Sequence, residues 1–334
     1  MRRRTLSHAL LLVCALAQAA RADVFRVLDD DRDAAQARVD VIQQAEREIH
    51  AVYFLAHNDR ITMAALAVLR DARRRGVGDV RLIVDANFPH IPRAVLAHLR
   101  DERIRVRVYH PVTLRHLSWL FHRMHEKAII TDSRRYITGG RNLGESYFGL
   151  TRRNYIDRDV YVEGTSAAAA DAHFEELWSS ADVKELRVRV SGGEKARAAR
   201  RLDDAARTLD GFVALNTGRN WSEGLPDVGA VRFVADPIAG DGPRVSATVA
   251  DAIESATSSI VIESPYLIPS GEFLDLLARK RAEGVRVQIV TNSLRATDGV
   301  LPFAAYLKHR RRLLRAGVDL REYKARTRCT RRRW

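Results

Sequence analysis

The stretch HEKAIITD at residues 125–132 decides the fold, and the stretch GGRN follows it at residues 139–142. His125 and Lys127 are two positions apart, so on a β-strand their side chains project from the same face. The apolar residues after Lys127 anchor such a strand in a core, and Asp132 ends it. The pattern therefore predicts a buried strand that presents a histidine and a lysine together at one end.

These residue types form a set that can attack a phosphodiester. An imidazole is a nucleophile, while the charge of Lys127 and the amide of Asn142 hold the non-bridging oxygens as negative charge develops. The glycine pair that ends at Gly140 lets the backbone approach a ligand closely. Alone, each residue is a weak signal. The six fixed positions together are expected by chance on the order of once in 10⁷ positions.

Strands and amphipathic helices alternate on both sides of this stretch. The predicted strands are Ile49–Leu55, Val80–Val84, Ile104–Tyr109, Ala128–Thr131, Tyr136–Thr138 and Asp159–Val162. The predicted helices lie near Ala35–Arg47, Thr62–Arg75, Pro92–Arg100 and Ser166–Ser179. This alternation is typical of an α/β sheet covered by helices.

The chain contains an internal duplication. The matched positions in the first and second copies are Ile42–Ile49 with Ile253–Ile260, Asp85 with Asn292, and Ile104–Tyr109 with Val318–Tyr323. Each copy runs through a strand, a helix that ends near a glycine, and a second strand. A repeat of this length indicates two homologous domains rather than a solenoid of small units.

The N-terminus has the pattern of a secretory signal. Three arginines precede a short apolar run at residues 9–17, and the small residues Ala20 and Ala22 suit a cleavage site. The run is too short to span a bilayer. We expect residues 1–22 to be removed, the alternative being an uncleaved interfacial anchor. The mature chain is then exported, and is periplasmic or peripheral on the cell membrane.

The positive charge is concentrated at the two ends of the chain. Of the net charge of +14, nine units come from arginines within residues 1–22 and 326–334, which leaves +5 for the rest. A mildly basic body is compatible with anionic lipid and with nucleic acid. Lys308, Arg311 and Arg315 recur at helical spacing, which indicates either a solvated helix face or a contact with anionic headgroups.

The motif and its continuation resemble the signature of the phospholipase D superfamily, and most closely the short two-domain bacterial cardiolipin synthases. The stretches that carry the resemblance are residues 125–132, 139–149, 157–160, 264–269 and 291–298. The resemblance extends over residues 24–325. It implies an α/β fold of two homologous phospholipase D-like domains, each a mixed β-sheet flanked by helices, with the second incomplete.

The resemblance also implies roles for individual residues. His125 forms a phosphohistidine or protonates the leaving group, and Asp132 completes the catalytic signature by supporting the strand and loop geometry. The residues implied to bind the substrate phosphate are Lys127, Asn142 and Gly140. A carboxylate after the loop, Asp157 or Asp159, orients the imidazole.

The domain organisation follows from the duplication and the resemblance. We expect a signal at residues 1–22, a first domain at 23–185, a connector with a peripheral helix at 186–230, a second domain at 231–325, and an Arg-rich tail at 326–334. The second His-x-Lys expected after Tyr323 is missing. We therefore expect a truncated second domain, and a chain that in this form is inactive or nearly so.

The function implied by the resemblance is phosphatidyl transfer to make cardiolipin. The expected partners are a phospholipid such as phosphatidylglycerol and the membrane surface, without nucleic acid. Phospholipase D hydrolysis, nuclease action and an inactive remnant are the alternatives, and the sequence leaves the oligomeric state open. No cofactor is expected. His110, His116, His122 and His125 lie close enough in sequence for a zinc site, but no cysteine or glutamate completes a tetrahedron.

Overall fold

Two compact units make up the chain, the first ending at Phe233 and the second beginning at Val234. The computed structural model describes residues 23–86, 91–111, 123–185, 188–215, 217–238, 242 and 244–324. The expected signal and the Arg-rich tail lie outside these residues. Among the helices within them, none combines the length and apolar character needed to cross a membrane.

The first unit is built on one eight-stranded mixed sheet. Its strands are β1 (Val24–Leu28), β2 (Glu48–Tyr53), β3 (Asp79–Asp85), β4 (Arg105–Tyr109), β5 (Lys127–Thr131), β6 (Arg135–Gly139), β7 (Asp159–Glu163) and β8 (Val183–Glu185). Their order across the sheet is β1-β7-β6-β5-β2-β3-β4-β8. β2, β3 and β4 are parallel, and β5 runs antiparallel to β2. The carboxyl ends of the three parallel strands therefore lie beside the amino end of β5.

Helices cover both faces of this sheet. They are α1 (Asp31–Gln43), α2 (Arg60–Arg75), α3 (Arg93–Asp101), α4 (Ser166–Ser179) and α5 (Gly192–Leu209). α5 packs on α2 and α3, and α2 packs on α1. α4 lies on the other face, where its Phe174 stacks on the buried His50 of β2. The neighbours of His50 on β2, Ile49 and Ala51, belong to the core under the other helices, because successive strand residues face opposite ways.

Capping explains where two of these helices begin and end. The Asp30 side chain accepts hydrogen bonds from the backbone N–H groups of Arg32 and Asp33, so α1 starts there. α2 ends at Gly76, whose φ of 114° lies in the region that glycine adopts without steric cost.

The predicted strands and helices of the first unit are all present, with two additions. β1 lies at the edge of the sheet beside β7, and its residues alternate between partly buried and exposed. It therefore lacks the continuous burial of the central strands. β8 has three residues, too few for a periodic pattern to emerge. Residues 186–230 had been expected to form a connector with a peripheral helix. Within this stretch, residues of α5 and the buried Trp221 pack in the core of the first unit, and the expected domain boundaries stay a prediction.

The second unit is a three-stranded parallel sheet with helices. Its elements are α6 (Arg244–Glu254), β9 (Ser259–Glu263), α7 (Gly271–Ala282), β10 (Arg286–Asn292), α8 (Val300–Arg315) and β11 (Asp319–Tyr323). The strand order is β11-β10-β9. Its core is formed by apolar side chains such as Leu277, Ile289 and Leu313.

The duplication predicted from the sequence is confirmed by the strand registers. In the first unit Asp85 of β3 is opposite Tyr109 of β4, and in the second unit Asn292 of β10 is opposite Tyr323 of β11. The adjacent parallel pair β2–β3 likewise has its counterpart in β9–β10. The two units therefore repeat one βαβαβ arrangement, with matched residues at equivalent strand ends.

Candidate active site

The site begins at the amino end of β5, where His125 and Lys127 have an aromatic neighbour in common. The His125 imidazole stacks on the Phe54 ring with the centroids 4.1 Å apart. Lys127 Nζ lies 5.4 Å from the centroid of the same ring, and it donates a hydrogen bond of 2.6 Å to the His125 carbonyl oxygen. Tyr53 is opposite Lys127 in the β2–β5 register, so the next residue, Phe54, lies beside His125 and Lys127. Sequence reasoning missed Phe54, because nothing before folding connects it with His125.

The surroundings of His125 favour its neutral form. Partial burial lowers the pKa of His125, and the positive charge of Lys127 lowers it further, against a smaller opposing effect of Asp85. A neutral imidazole keeps a lone pair for attack on phosphorus. Burial also lowers the pKa of Lys127, while the negative charges of Asp157 and Glu126 oppose that shift.

The chain just before His125 is held by a carboxylate at the end of β3. Asp85 is completely buried. It accepts a hydrogen bond of 3.3 Å from the backbone N–H of Met124 and forms a salt bridge with the guanidinium of Arg123. Asp85 thus fixes where the peptide enters the site. The sequence marked it as a strand end without giving it this role.

The side chain of Asn142 is held by the backbone of Leu55, which follows β2. Its side chain is buried, and its amide oxygen accepts a hydrogen bond of 2.9 Å from Leu55 N–H. That bond settles the orientation of the amide and leaves its NH₂ group for another acceptor. Within the described part of the chain the NH₂ group makes no hydrogen bond, so it is available to a phosphate oxygen.

Gly140 makes room for a carboxylate. A Cβ atom placed on Gly140 would lie 1.7 Å from Asp157 Oδ1. The Gly140 N–H donates to the Arg158 carbonyl oxygen over 3.1 Å. Gly140 had been expected to help bind the substrate phosphate. Its N–H is used within the loop, and its lack of a side chain leaves the space in which Asp157 packs. The expected contact of Gly140 with the phosphate stays a prediction.

Asp157 lies in the electrostatic environment of Lys127. Burial raises the pKa of Asp157, and the neighbouring Asp159 raises it further, although Arg141 and Lys127 act in the opposite direction. A carboxylate that is costly to ionise and close to a lysine is typical of a functional site. Its expected role in orienting the His125 imidazole stays a prediction.

Asp159 is occupied by two buried arginines. Its carboxylate is 3.0 Å from Arg38 Nη2 and 3.1 Å from Arg141 Nη1, and it also accepts the Arg141 backbone N–H over 3.2 Å. All three side chains are buried. Of the two carboxylates considered for orienting the imidazole, Asp159 is thus committed to the arginines, and Asp157 is the candidate that stands.

Arg141 connects the motif loop with the segment at the end of β1 and the start of α1. Its guanidinium donates to the carbonyl oxygens of Leu28, Asp29 and Tyr147, at 2.9, 2.9 and 3.1 Å. It also pairs with Asp31 at 3.0 Å. The position of Arg141 within the GGRN stretch was visible in the sequence, but its burial was not.

Asp132 lies at the opposite end of β5 from His125, about 17 Å from Lys127 at strand spacing. Its carboxylate accepts hydrogen bonds from the backbone N–H groups of Glu46, Arg47 and Glu48, the closest at 2.8 Å. Its φ of 55° closes the turn between β5 and β6. These hydrogen bonds join the end of β5 to the start of β2, and the role of Asp132 in the catalytic signature stays a prediction.

Metal-ligand geometry does not arise among the described residues, since no group of three or more His, Cys, Asp or Glu side chains is positioned to hold an ion. Of the four histidines with spacing that permits a zinc site, His110 pairs with Asp182 at 3.0 Å. His116 and His122 lie outside the described residues.

Three comparisons place this architecture among known proteins. The family profile described as "Cardiolipin synthase, PLD-like domain" matches residues 39–178 and 249–331. Cardiolipin synthase C of Escherichia coli is 28% identical, the match covering 89% of this chain and 68% of that protein. Cardiolipin synthase 1 of Bacillus anthracis is 27% identical, covering 85% of this chain and 52% of that protein.

Other relatives extend the comparison. An uncharacterized protein of Helicobacter pylori is 25% identical, the match covering 89% of this chain and 64% of that protein. The chain thus spans roughly half to two thirds of the length of these relatives. The crystal structure of phosphatidylserine synthase from Haemophilus influenzae superposes with a TM-score of 0.62 at 14% identity, covering 90% of this chain and 74% of that one. That likeness shows a common fold.

Proposed function

Because the chain belongs to the cardiolipin synthase, PLD-like domain family, a family of phospholipase D-like phosphatidyltransferases, we propose that it transfers phosphatidyl groups through a phosphohistidine on His125. The observation that carries the proposal is the grouping of three side chains at the amino end of β5. His125 is accessible and favoured in its neutral form, Lys127 lies beside it, and the Asn142 amide is oriented by Leu55.

The proposed first step forms one bond and breaks another. An imidazole nitrogen of His125 attacks phosphorus, and the bond from phosphorus to the headgroup oxygen breaks. The headgroup oxygen takes up a proton from water as it leaves. The Lys127 ammonium and the Asn142 NH₂ group bind the non-bridging oxygens, where negative charge accumulates. Asp157 stabilises the imidazolium that results, as the acid of a hydrolase triad does.

The proposed second step releases the phosphatidyl group to an acceptor. A hydroxyl oxygen attacks phosphorus, its proton passes to solvent, and the bond between phosphorus and the imidazole nitrogen breaks. With phosphatidylglycerol as both donor and acceptor, the products are cardiolipin and glycerol. With water as the acceptor, the product is phosphatidic acid. Both outcomes use the same intermediate, so the proposal for His125 does not depend on which acceptor is used.

The leaving group decides how the proposal is tested. A glycerol alkoxide is strongly basic and needs a proton donor as it departs, whereas p-nitrophenolate leaves without one. The sequence contains a single His-x-Lys, at His125. A p-nitrophenyl phosphodiester therefore tests nucleophilic attack by His125 separately from the supply of a proton to a natural headgroup.

The test is a rapid-mixing experiment with such an ester, alongside cardiolipin formation from phosphatidylglycerol vesicles measured by mass spectrometry. We expect a burst of p-nitrophenolate that approaches one equivalent per chain and is absent in His125→Gln. His309→Gln is the matched control, a histidine replaced in the second unit. A burst that survives His125→Gln would refute the proposal, and so would the absence of any burst from folded protein. Cleavage of DNA that requires His125, without activity on lipid, would favour the nuclease alternative.

A further inference from the structure

α8 of the second unit has a strongly basic composition. Its 16 residues include five lysines and arginines and no acidic residue. The inner side of the helix packs on the core of the unit, where Tyr306 and Leu313 are buried. The Tyr306 hydroxyl also bonds to Glu322 of β11 at 2.7 Å. These contacts hold α8 against the sheet, and the outer side of the helix takes no part in them.

The outer side of α8 exposes large apolar side chains. The exposed fractions are 70% for Val300, 84% for Leu301, 49% for Leu307 and 45% for Leu314. At 100° per residue, Val300, Leu307 and Leu314 fall within about 40° of one another around the helix axis. They form a stripe along its full length. Scattered exposed apolar residues are ordinary, but an aligned set on one helix marks an interaction surface.

The cations on the flanks of the helix form salt bridges, whereas those beside the apolar stripe form none within the described residues. Arg310 pairs with Glu322 at 2.7 Å, and Arg312 pairs with Asp275 at 2.5 Å. The remaining three cations, Lys308, Arg311 and Arg315, are exposed and form no salt bridge or hydrogen bond within the described residues. By helical geometry these three lie within about 60° of one another and beside the apolar stripe.

We propose that this face, formed by Val300, Leu301, Leu307, Leu314, Lys308, Arg311 and Arg315, docks on the surface of an anionic lipid bilayer. An apolar stripe flanked by uncompensated cations fits the boundary between acyl chains and anionic headgroups. A nucleic acid would use the cations but gain nothing from Val300 and Leu301. Arg315 in the last turn also complements the helix dipole, but the dipole does not explain the exposed leucines.

The apolar surface continues to the carboxyl end of the sheet in this unit. Gly299 immediately precedes α8, and a Cβ atom placed there would lie 3.6 Å from the Tyr266 ring. Tyr266 and Ile268, which follow β9, are both exposed. The corresponding end of the first unit's sheet holds His125. The docking face is therefore continuous with the sheet edge that is equivalent to the catalytic edge.

The inference rests on the proposed function only in requiring that the protein meet its substrate in a membrane, so its test uses binding without turnover. Binding to vesicles of phosphatidylglycerol mixed with phosphatidylcholine is measured by flotation at low and high salt. The 334-residue chain and its Asp23–Trp334 form, which keeps every described element, are compared side by side. The variants are Lys308→Gln/Arg311→Gln/Arg315→Gln and Val300→Ser/Leu301→Gln.

Matched controls come from the first unit. Arg189→Gln/Arg197→Gln/Arg200→Gln removes three exposed cations, and Phe25→Thr/Val27→Thr removes two exposed apolar side chains. At ~1 kcal/mol for each cation near an anionic surface, the α8 triple variant should bind about 100-fold more weakly at low salt. The α8 apolar variant should also lose affinity, and both controls should bind as wild type does.

Four outcomes would contradict the proposal that this face docks on an anionic bilayer. A loss of less than about threefold for the α8 triple variant, or an equal loss for the control triple variant, would overturn the proposal. Binding to duplex DNA that depends on the three α8 cations, with vesicle binding unchanged, would assign the face to nucleic acid instead. A dimer that dissociates in the α8 apolar variant, with vesicle binding unchanged, would assign it to a second copy of the chain. The burst from the p-nitrophenyl ester should be unaffected by all α8 variants, which separates failure of docking from failure of the proposed function.

Discussion

Two aspartates that are two residues apart in sequence should respond in opposite ways to the same substitution. Asp159→Asn removes the carboxylate that lies between Arg38 and Arg141 at 3.0 and 3.1 Å. Both guanidinium groups are buried, so each is left with part of its charge uncompensated. Breaking a buried ion pair by removing one partner costs about 3–5 kcal/mol in the free energy of unfolding. For a unit of this size that corresponds to a fall in melting temperature on the order of 10 °C.

Asp157→Asn changes a carboxylate whose charge is already disfavoured. Burial raises the pKa of Asp157, so a neutral amide of the same shape should leave the stability within about 1 kcal/mol of wild type. The amide cannot stabilise an imidazolium, however. We therefore expect the burst rate with the p-nitrophenyl ester to fall by about two orders of magnitude or more, while the melting temperature stays near that of wild type.

Tryptophan fluorescence is the appropriate melting assay, because three of the four tryptophans lie in the first unit. It should separate the two variants, with Asp159→Asn losing stability and Asp157→Asn losing activity. If Asp159→Asn melted with wild type, the assignment of Asp159 to the arginine cluster would be incorrect. If Asp157→Asn kept the full burst rate, Asp157 would have no part in the chemistry.

Four further predictions follow from the same contacts. Gly140→Ser should slow the burst by more than about tenfold at a stability cost of roughly 1–3 kcal/mol, because its Cβ would displace the Asp157 carboxylate; a wild-type burst would contradict this. Since burial and Lys127 lower the pKa of His125, the imidazole should titrate in NMR below its ordinary value and move upward in Lys127→Met; a downward movement would reverse the argument. Asp132→Ala should destabilise the first unit by about 1–3 kcal/mol through unmatched backbone N–H groups, with the burst amplitude per folded molecule retained. Incubation with EDTA should leave the burst rate intact, because the proposed charge stabilisation comes from side chains; a loss restored by zinc would point to metal catalysis.

Local patterns in the sequence were enough to predict most of the fold. The six predicted strands and four predicted helices of the first unit follow from periodicity, and the matched tyrosines of the duplication occupy equivalent registers. The site was harder to predict, because its supporting residues meet only when the sheet forms. Phe54 follows β2 and Asp85 ends β3, and no local pattern connects either one with His125.

The choice between Asp157 and Asp159 shows why the rest was hidden. Both have the spacing of residues on one face of a strand. β7 begins only at Asp159, so Asp157 precedes the strand pairing and is placed instead by its contact with Gly140. Where a strand begins depends on its neighbours in the sheet. The burial of Arg38 and Arg141 beneath the loop is likewise a property of the assembled unit.

The two units repeat one arrangement, but they differ at the strand end that lies beside His125 in the first unit. In the first unit the carboxylate of Asp85 holds Arg123, two residues before His125. The equivalent position at the end of β10 is Asn292, whose neutral amide cannot form an ion pair with an arginine. Asp85 and Arg123 also act in opposite directions on the pKa of His125. The duplication thus preserved the backbone frame while the residues at this strand end diverged from Asp85 to Asn292.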